Sequence, residues 1–179
     1  DVIAPAHGLL WRNDPSRLLA AYDSRSKQEA KRKAVVIFDT MWHSTENMAK
    51  AVADGLREEG VSVKMMDLRV AHRSDVITEL LDAKGVVLGS STLNNGMLPR
   101  MADILCYVKG LRPAGKVGAA FGSYGWSGEA VKLLTQTLEE MKVEVLDPGL
   151  QVKFVPGKED LKKCVELGKK IGAAVKAAT

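Results

Sequence analysis

The sequence predicts a doubly wound α/β sandwich, in which a five-stranded parallel sheet lies between two layers of helices. Three observations predict it. From Lys33 onward, apolar runs alternate with amphipathic stretches of helical length. Two of the runs, 34–38 (AVVIF) and 85–89 (GVVLG), are apolar almost throughout rather than at every second position, which is how strands buried on both faces read. Five such strand–helix units in series fit parallel pairing through helical crossovers.

Taken in order, residues 1–13 (DVIAPAHGLLWRN) form a short apolar segment broken by Pro5 and Gly8. Residues 14–32 read as a short helix opened by Pro15 and then a polar, charged linker. The expected strands are 34–38, 61–66 (VSVKMM), 85–89, 116–121 (KVGAAF) and 150–155 (LQVKFV). Helices are expected at 45–59, 74–82, 98–109, 128–141 and 158–177, and there is no internal repeat.

The bulk numbers exclude several classes. A chain of 179 residues, 46% hydrophobic and 27% charged, has the length of one domain. At that size roughly 70% of the unfolded surface is buried on folding, so no disulfide or metal is needed for stability. The net charge of +4 is spread among interleaved acids, which argues against nucleic acid as a partner. The densest basic runs, Lys31-Arg32-Lys33, Lys162-Lys163 and Lys169-Lys170, read as solvated linker and helix faces. Two isolated cysteines, Cys106 and Cys164, fit a reducing, cytoplasmic setting and neither a disulfide framework nor a zinc site. No apolar stretch has the length of a membrane span, so no membrane partner is expected. The N-terminus lacks the pattern of a signal peptide and lacks Met, and the chain is read as a piece of something longer.

In open α/β sheets ligands bind outside the carboxyl ends of the strands, so the strand-to-helix turns carry the chemistry. The first is Thr40-Met41-Trp42-His43-Ser44-Thr45, with three hydroxyls and no Lys or Arg. A helix N-terminus presents free N–H groups and a partial positive charge, and short hydroxyls beside it suit a phosphate held by neutral donors. One hydroxyl would suffice as a helix cap; three and a Trp exceed that need. The second turn offers Ser91, Thr92, Leu93, Asn94, Asn95 and Gly96, opening into a helix at Pro99. The third interleaves Gly122, Gly125 and Gly128 with Ser123, Tyr124 and Trp126, giving stacking faces and room for close backbone approach. Together they describe a phosphate clamp leading into a flat slot, which FMN fits best.

Rival sites are missing their residues. There is no GxGxxG after the first strand, no GxxxxGK[ST], no GxSxG elbow, and no metal-binding spacing among His7, His43 and His72. Asp39 stands alone, without the acidic cluster of a response regulator, and reads as a turn-bonding residue. The remaining rivals are a cofactor-free association module and a free-standing quinone reductase.

The stretches VVIFDTMWHSTENMAKAVADGL, VVLGSSTLNNGMLPRM and GAAFGSYGWSGEAVKLL resemble the flavodoxin-like domain of the flavodiiron proteins, over about residues 33–177. The resemblance implies a flavodoxin-like sandwich of strand order 2-1-3-4-5 spanning residues 33–179, with FMN in the three turns. IAPAHGLLWR is similar to the last segment of the metallo-β-lactamase-like diiron domain that precedes it, so residues 1–13 would be a stub of that domain. His7 then matches a diiron ligand left without its companions, and no iron is expected in this chain. By the same resemblance, the intact protein takes electrons from rubredoxin or a related donor and reduces dioxygen or nitric oxide. The resemblance also implies a head-to-tail homodimer.

Overall fold

A computed structural model describes residues 2–179. The chain opens with an antiparallel bridge between Ile3 and Trp11, closed by backbone bonds of 3.0 and 2.9 Å. Helix α1 (Pro15–Ser26) has Pro at its first turn and Asp14 as N-cap, and buries none of its residues. The sandwich follows as β1 (Lys31–Asp39), α2 (Ser44–Glu58), β2 (Ser62–Asp67), α3 (Arg73–Leu81) and β3 (Ala83–Ser90). A hairpin of β4 (Thr92–Leu93) and β5 (Gly96–Met97) leads into α4 (Pro99–Leu111). Then come β6 (Val117–Tyr124), α5 (Glu129–Glu140), β7 (Glu144–Val145), β8 (Leu150–Lys153) and α6 (Lys158–Ala177).

The main sheet is parallel throughout, in the order β2-β1-β3-β6, with β7 and β8 sharing the far edge of β6. β7 pairs with Val117 and Gly118, and β8 pairs with Phe121 to Tyr124. They are one fifth strand in two pieces, so the order 2-1-3-4-5 is recovered with an interruption at 146–149. Pro148 lacks a donor for the ladder, and Gly149, at φ 110°, bonds back to the Asp147 carboxylate over 3.1 Å.

Alternation along each strand feeds two cores. Val35, Ile37, Val86, Leu88 and Ala120 pack under α3, α4 and α5. Ala34, Val36, Phe38, Val87, Ala119 and Phe121 pack under α2 and α6. The second layer is tight: a Cβ on Gly55 would lie 2.0 Å from the Val165 carbonyl oxygen, and one on Gly168 2.1 Å from that of Val52. Burial on both faces is why the first and third strands lack polar alternation.

Three expectations are corrected by the structure. The run 31–33 is the start of β1 rather than linker, with Lys31 and Arg32 solvated as expected and Lys33 turned inward. Lys33 is mostly buried and pairs with Glu79 at 2.7 Å and Asp82 at 2.6 Å, a local ion cluster that a reading by charge density overlooks. The last strand ends at Lys153, because Phe154 turns into left-handed backbone at φ 63°. The hairpin at 92–97 was expected as loop; Asn94 and Asn95, both at positive φ, form its two-residue turn.

Candidate functional site

β1 stops at Asp39, a buried carboxylate that accepts the Thr40 N–H at 2.9 Å. Burial raises the pKa of this carboxyl. The next three residues swing outward, and His43 turns the chain into α2 with φ 65° and ψ −3°. His43 is the N-cap by position, yet no side chain caps the helix. The first N–H groups of α2 therefore face outward without a side-chain acceptor. Beside them the Thr40 hydroxyl is buried and has no hydrogen-bond partner. An orphaned buried donor next to an open helix N-terminus is the chemistry of an anion site.

The three turns are tied together beneath that site. The Thr45 hydroxyl lies 2.8 Å from the Ser91 hydroxyl and 3.0 Å from that of Ser123, which are themselves 3.2 Å apart. All three are buried, one from each turn. Ser90 adds a second tie, its hydroxyl accepting the Leu98 N–H at 3.0 Å and donating to the Ser91 carbonyl at 2.9 Å. The clamp and the slot are thus held in register by side-chain hydroxyls rather than by charge.

A cavity of about 670 Å³ opens above this floor, within the size range of cofactor sites. Met41, Trp42 and Ser44 come to it from the first turn. Ser91, Thr92, Leu93, Asn94 and Asn95 come from the second, and Ser123, Tyr124, Gly125 and Trp126 from the third. Trp42 is 85% exposed and Trp126 93%, so neither ring is tucked into the core. Two large apolar faces left in water at the mouth of one cavity are surfaces awaiting a partner.

Several expected residues do not line the cavity. Thr40 is buried and outside the lining, and Thr45 serves as the buried hub. His43 is exposed, its Nδ1 2.8 Å from a Glu46 carboxylate oxygen. Gly96 closes the β4–β5 hairpin. A Cβ on Gly122 would lie 2.1 Å from the Ser90 carbonyl oxygen, and one on Gly128 2.4 Å from Gln151 Oε1. Those two glycines permit close packing of β6 on β3 and of α5 on β8. Gly125 has no atom near its missing side chain, so its openness serves the cavity. His7 is exposed, and among the described residues no group of three or more His, Cys, Asp or Glu could hold a metal ion.

Sequence reasoning missed Phe154 and Val155, which complete the wall, and Ser127 in the third turn. The signal was there in principle, since the end of the last parallel strand also faces the ligand side. Phe154 was hidden by its assignment to the strand. Its N–H bonds to the Tyr124 carbonyl at 2.8 Å, and the Lys153 ammonium stands 5.2 Å from its ring centre.

Glu46, in the first turn of α2, is the charged anchor of the clamp. Its carboxylate meets Lys50 at 2.7 Å, His43 at 2.8 Å and Arg69 at 2.8 Å, and Arg69 also pairs with Asp67 at 2.6 Å. The bond from Lys50, then those from His43 and Arg69, hold its pKa down to about 2. The cationic partners are thereby occupied, which leaves neutral donors to face an anion.

A parallel sheet of this order with an anion-ready first turn and an apolar slot at its carboxyl edge defines a mononucleotide-binding α/β protein. The flavodoxin profile matches residues 36–168, and the chain belongs to that family. More particularly, its relatives over nearly the whole chain are flavodiiron proteins. It is 49% identical over 174 residues to a nitric oxide reductase of Moorella thermoacetica, covering 97% of this chain and 44% of that protein. The rubredoxin:oxygen oxidoreductase of Desulfovibrio gigas superposes with a TM-score of 0.93 at 40% identity, covering 99% of this chain and 45% of the other. The flavodiiron protein of Giardia intestinalis also gives 0.93, at 35% identity, covering 99% and 44%. The chain thus spans less than half the length of the curated relatives it matches. No helix among the described residues is long and apolar enough to cross a membrane.

Proposed function

We propose that this chain is the FMN-carrying, electron-transferring part of a flavodiiron oxidoreductase. The observation that carries the reading is the uncapped N-terminus of α2 beside the partnerless Thr40 hydroxyl, at one end of an apolar cavity with two exposed Trp rings. In this reading the phosphate rests on the backbone N–H groups of residues 41–45 and on the Thr40 and Ser44 hydroxyls. The ring system lies between the second and third turns, with Asn94, Asn95 and Gly96 along one edge and Tyr124, Gly125 and Trp126 along the other. Thr45, Ser91 and Ser123 keep those turns at a fixed separation. Bound there, FMN supplies one- and two-electron chemistry, while the protein supplies position and excludes water.

The remainder of the reading concerns the whole protein. Residues 1–13 would end a diiron domain, with His7 as one of its ligands, and residues 33–179 would form the flavin domain joined to it. Among the described residues no set of ligands fits a diiron centre. A rubredoxin-type donor would feed the flavin, the intact protein would reduce nitric oxide or dioxygen as a head-to-tail dimer, and the two free thiols suit the cytoplasm.

The test is titration of the purified chain with FMN and with riboflavin, read by flavin absorbance and Trp fluorescence. FMN should bind with quenching, and riboflavin at least ~100-fold more weakly, since each charge-assisted bond to the phosphate is worth roughly 1.5–3 kcal/mol. Equal affinities would refute the clamp. No binding of either would favour an association module, to which the exposed Trp42, Trp126 and Val155 also correspond.

A further inference from the structure

A second cavity, of about 120 Å³, lies at the other end of the sheet, where α1, α3 and α4 finish. Its walls are apolar: Ile77 and Leu81 of α3, Val108 and Leu111 of α4. Two cations reach it, Arg25 from the last turn of α1 and Lys116 from just before β6. Lys116 is almost wholly buried, and its ammonium donates to the carbonyls of Leu80 at 2.7 Å and Ala83 at 2.6 Å. An ammonium has three protons, so one remains for a ligand. Arg25 makes no ion pair among the described residues. The wall is pinned rather than loose, because the Gln28 side-chain carbonyl accepts the Ala114 N–H at 2.7 Å and so ties the end of α1 to the loop before β6.

We infer that this cavity binds a small organic monocarboxylate with a flat or short apolar body, an aromatic acid of benzoate size being the chemical class. An apolar cavity of ~150 Å³ holds a benzene molecule, so this space of about 120 Å³, open at its mouth, admits no more than one ring. A carboxylate at its mouth then meets Arg25 in a two-pronged bond and the remaining proton of Lys116. A neutral ring would offer no acceptor to Arg25 or to the third proton of Lys116, and a dicarboxylate would bury its second charge against Ile77 and Val108. The site shares no residue with the flavin cavity, so its fate is independent of the function proposed above.

The experiment is a benzoate titration of the full chain, with and without FMN, followed by methyl and indole NMR signals, with benzyl alcohol as the neutral control. Saturable millimolar shifts are expected at Ile77, Leu81 and Val108, with Trp126 unmoved. Arg25→Gln and the change to benzyl alcohol should each weaken binding ~10-fold or more. Lys116→Met should weaken it similarly where that variant folds, and Arg25→Gln carries the test where it does not. Shifts that never saturate, benzyl alcohol binding as tightly as benzoate, or an Arg25→Gln chain of unchanged affinity would each overturn the assignment.

Discussion

At the amino end of the sheet, the Leu80 carbonyl at the end of α3 and the Ala83 carbonyl that opens β3 meet the chain's own ammonium, Lys116. At the carboxyl end, α2 begins with N–H groups that meet no side chain, beside a hydroxyl that meets nothing. Both are helix termini with unsatisfied backbone groups, and they carry opposite partial charges. The chain answers one internally and leaves the other open. A terminus satisfied by its own side chain contributes to stability, whereas one left open is a place for a ligand. The contrast separates the residues that hold this fold from those that would hold a cofactor.

The sharpest way to break the contrast is Lys116→Met. Two buried carbonyls lose their donor, at roughly 1–3 kcal/mol each, partly offset by no longer burying a charge. A net loss of about 2 kcal/mol is expected in urea unfolding without flavin, with little change in FMN affinity. Burial brings the Lys116 pKa down to about 8 from an ordinary 10.5. The folded chain therefore gives up this proton at lower pH than the unfolded chain does. Stability should rise between about pH 8 and 10.5 in the wild type and lose that rise in Lys116→Met. A variant as stable as the wild type would mean the carbonyls find other partners.

The counterpart at the open end is Thr45→Val, which keeps the shape and removes the hub hydroxyl. A loss of about 1–2 kcal/mol is expected, since Ser91 and Ser123 keep only each other. Read from sequence, Thr45 belongs to the phosphate clamp, which would spare riboflavin. Bonded to both other turns instead, its hydroxyl governs the slot as well. FMN and riboflavin should therefore weaken together, by ~10-fold. Loss of FMN alone would return that hydroxyl to the clamp.

A smaller effect separates charge from neutral donors within the clamp. Glu46 carries a pKa of about 2 against an ordinary 4.5, so its share of stability is complete above about pH 4.5 and fades as pH falls toward 2. Glu46→Gln should remove ~1 kcal/mol near neutrality and flatten the stability curve over that acid window, less so at high salt because Lys50 is exposed. An unchanged acid limb would show that Arg69 and Asp67 hold the network without it.

What was legible in the sequence follows from which residues act locally. The central strands were readable because burial on both faces writes a nearly unbroken apolar run at 34–38 and 85–89, whereas the Glu144–Val145 half of the edge strand, partly exposed and two residues long, left no such run. The three turns were readable because hydroxyls, glycines and Trp are out of place in a plain cap. Gly122 and Gly125 look alike in the chain, yet one permits the contact of β6 with the Ser90 carbonyl and the other borders open space. Only pairing partners distinguish them. The Thr45–Ser91–Ser123 triangle spans 78 residues, the separation of its two outer members, and no local pattern announces it. Lys116 opens the expected strand 116–121, and nothing near it in the chain foretells the Leu80 and Ala83 carbonyls that hold its buried ammonium.

His43 marks the finest difference between the two ends. It holds φ 65° with a full side chain, in a region that costs an L-residue about 1–2 kcal/mol, and its ring is mostly in water. Its return is one bond to Glu46, a partner that Lys50 and Arg69 already satisfy. At Arg112, the residue after α4, the same left-handed backbone ends a helix; at His43 it begins one and aims the N–H groups outward. Glycine would adopt that backbone without strain but would also let the empty turn collapse. His43→Gly should therefore raise the stability of the flavin-free chain by up to ~1 kcal/mol in urea and weaken FMN a few-fold, since the clamp must be ordered on binding. A variant both less stable and undiminished in affinity would show that the ring, through Glu46, holds the turn against its own backbone strain.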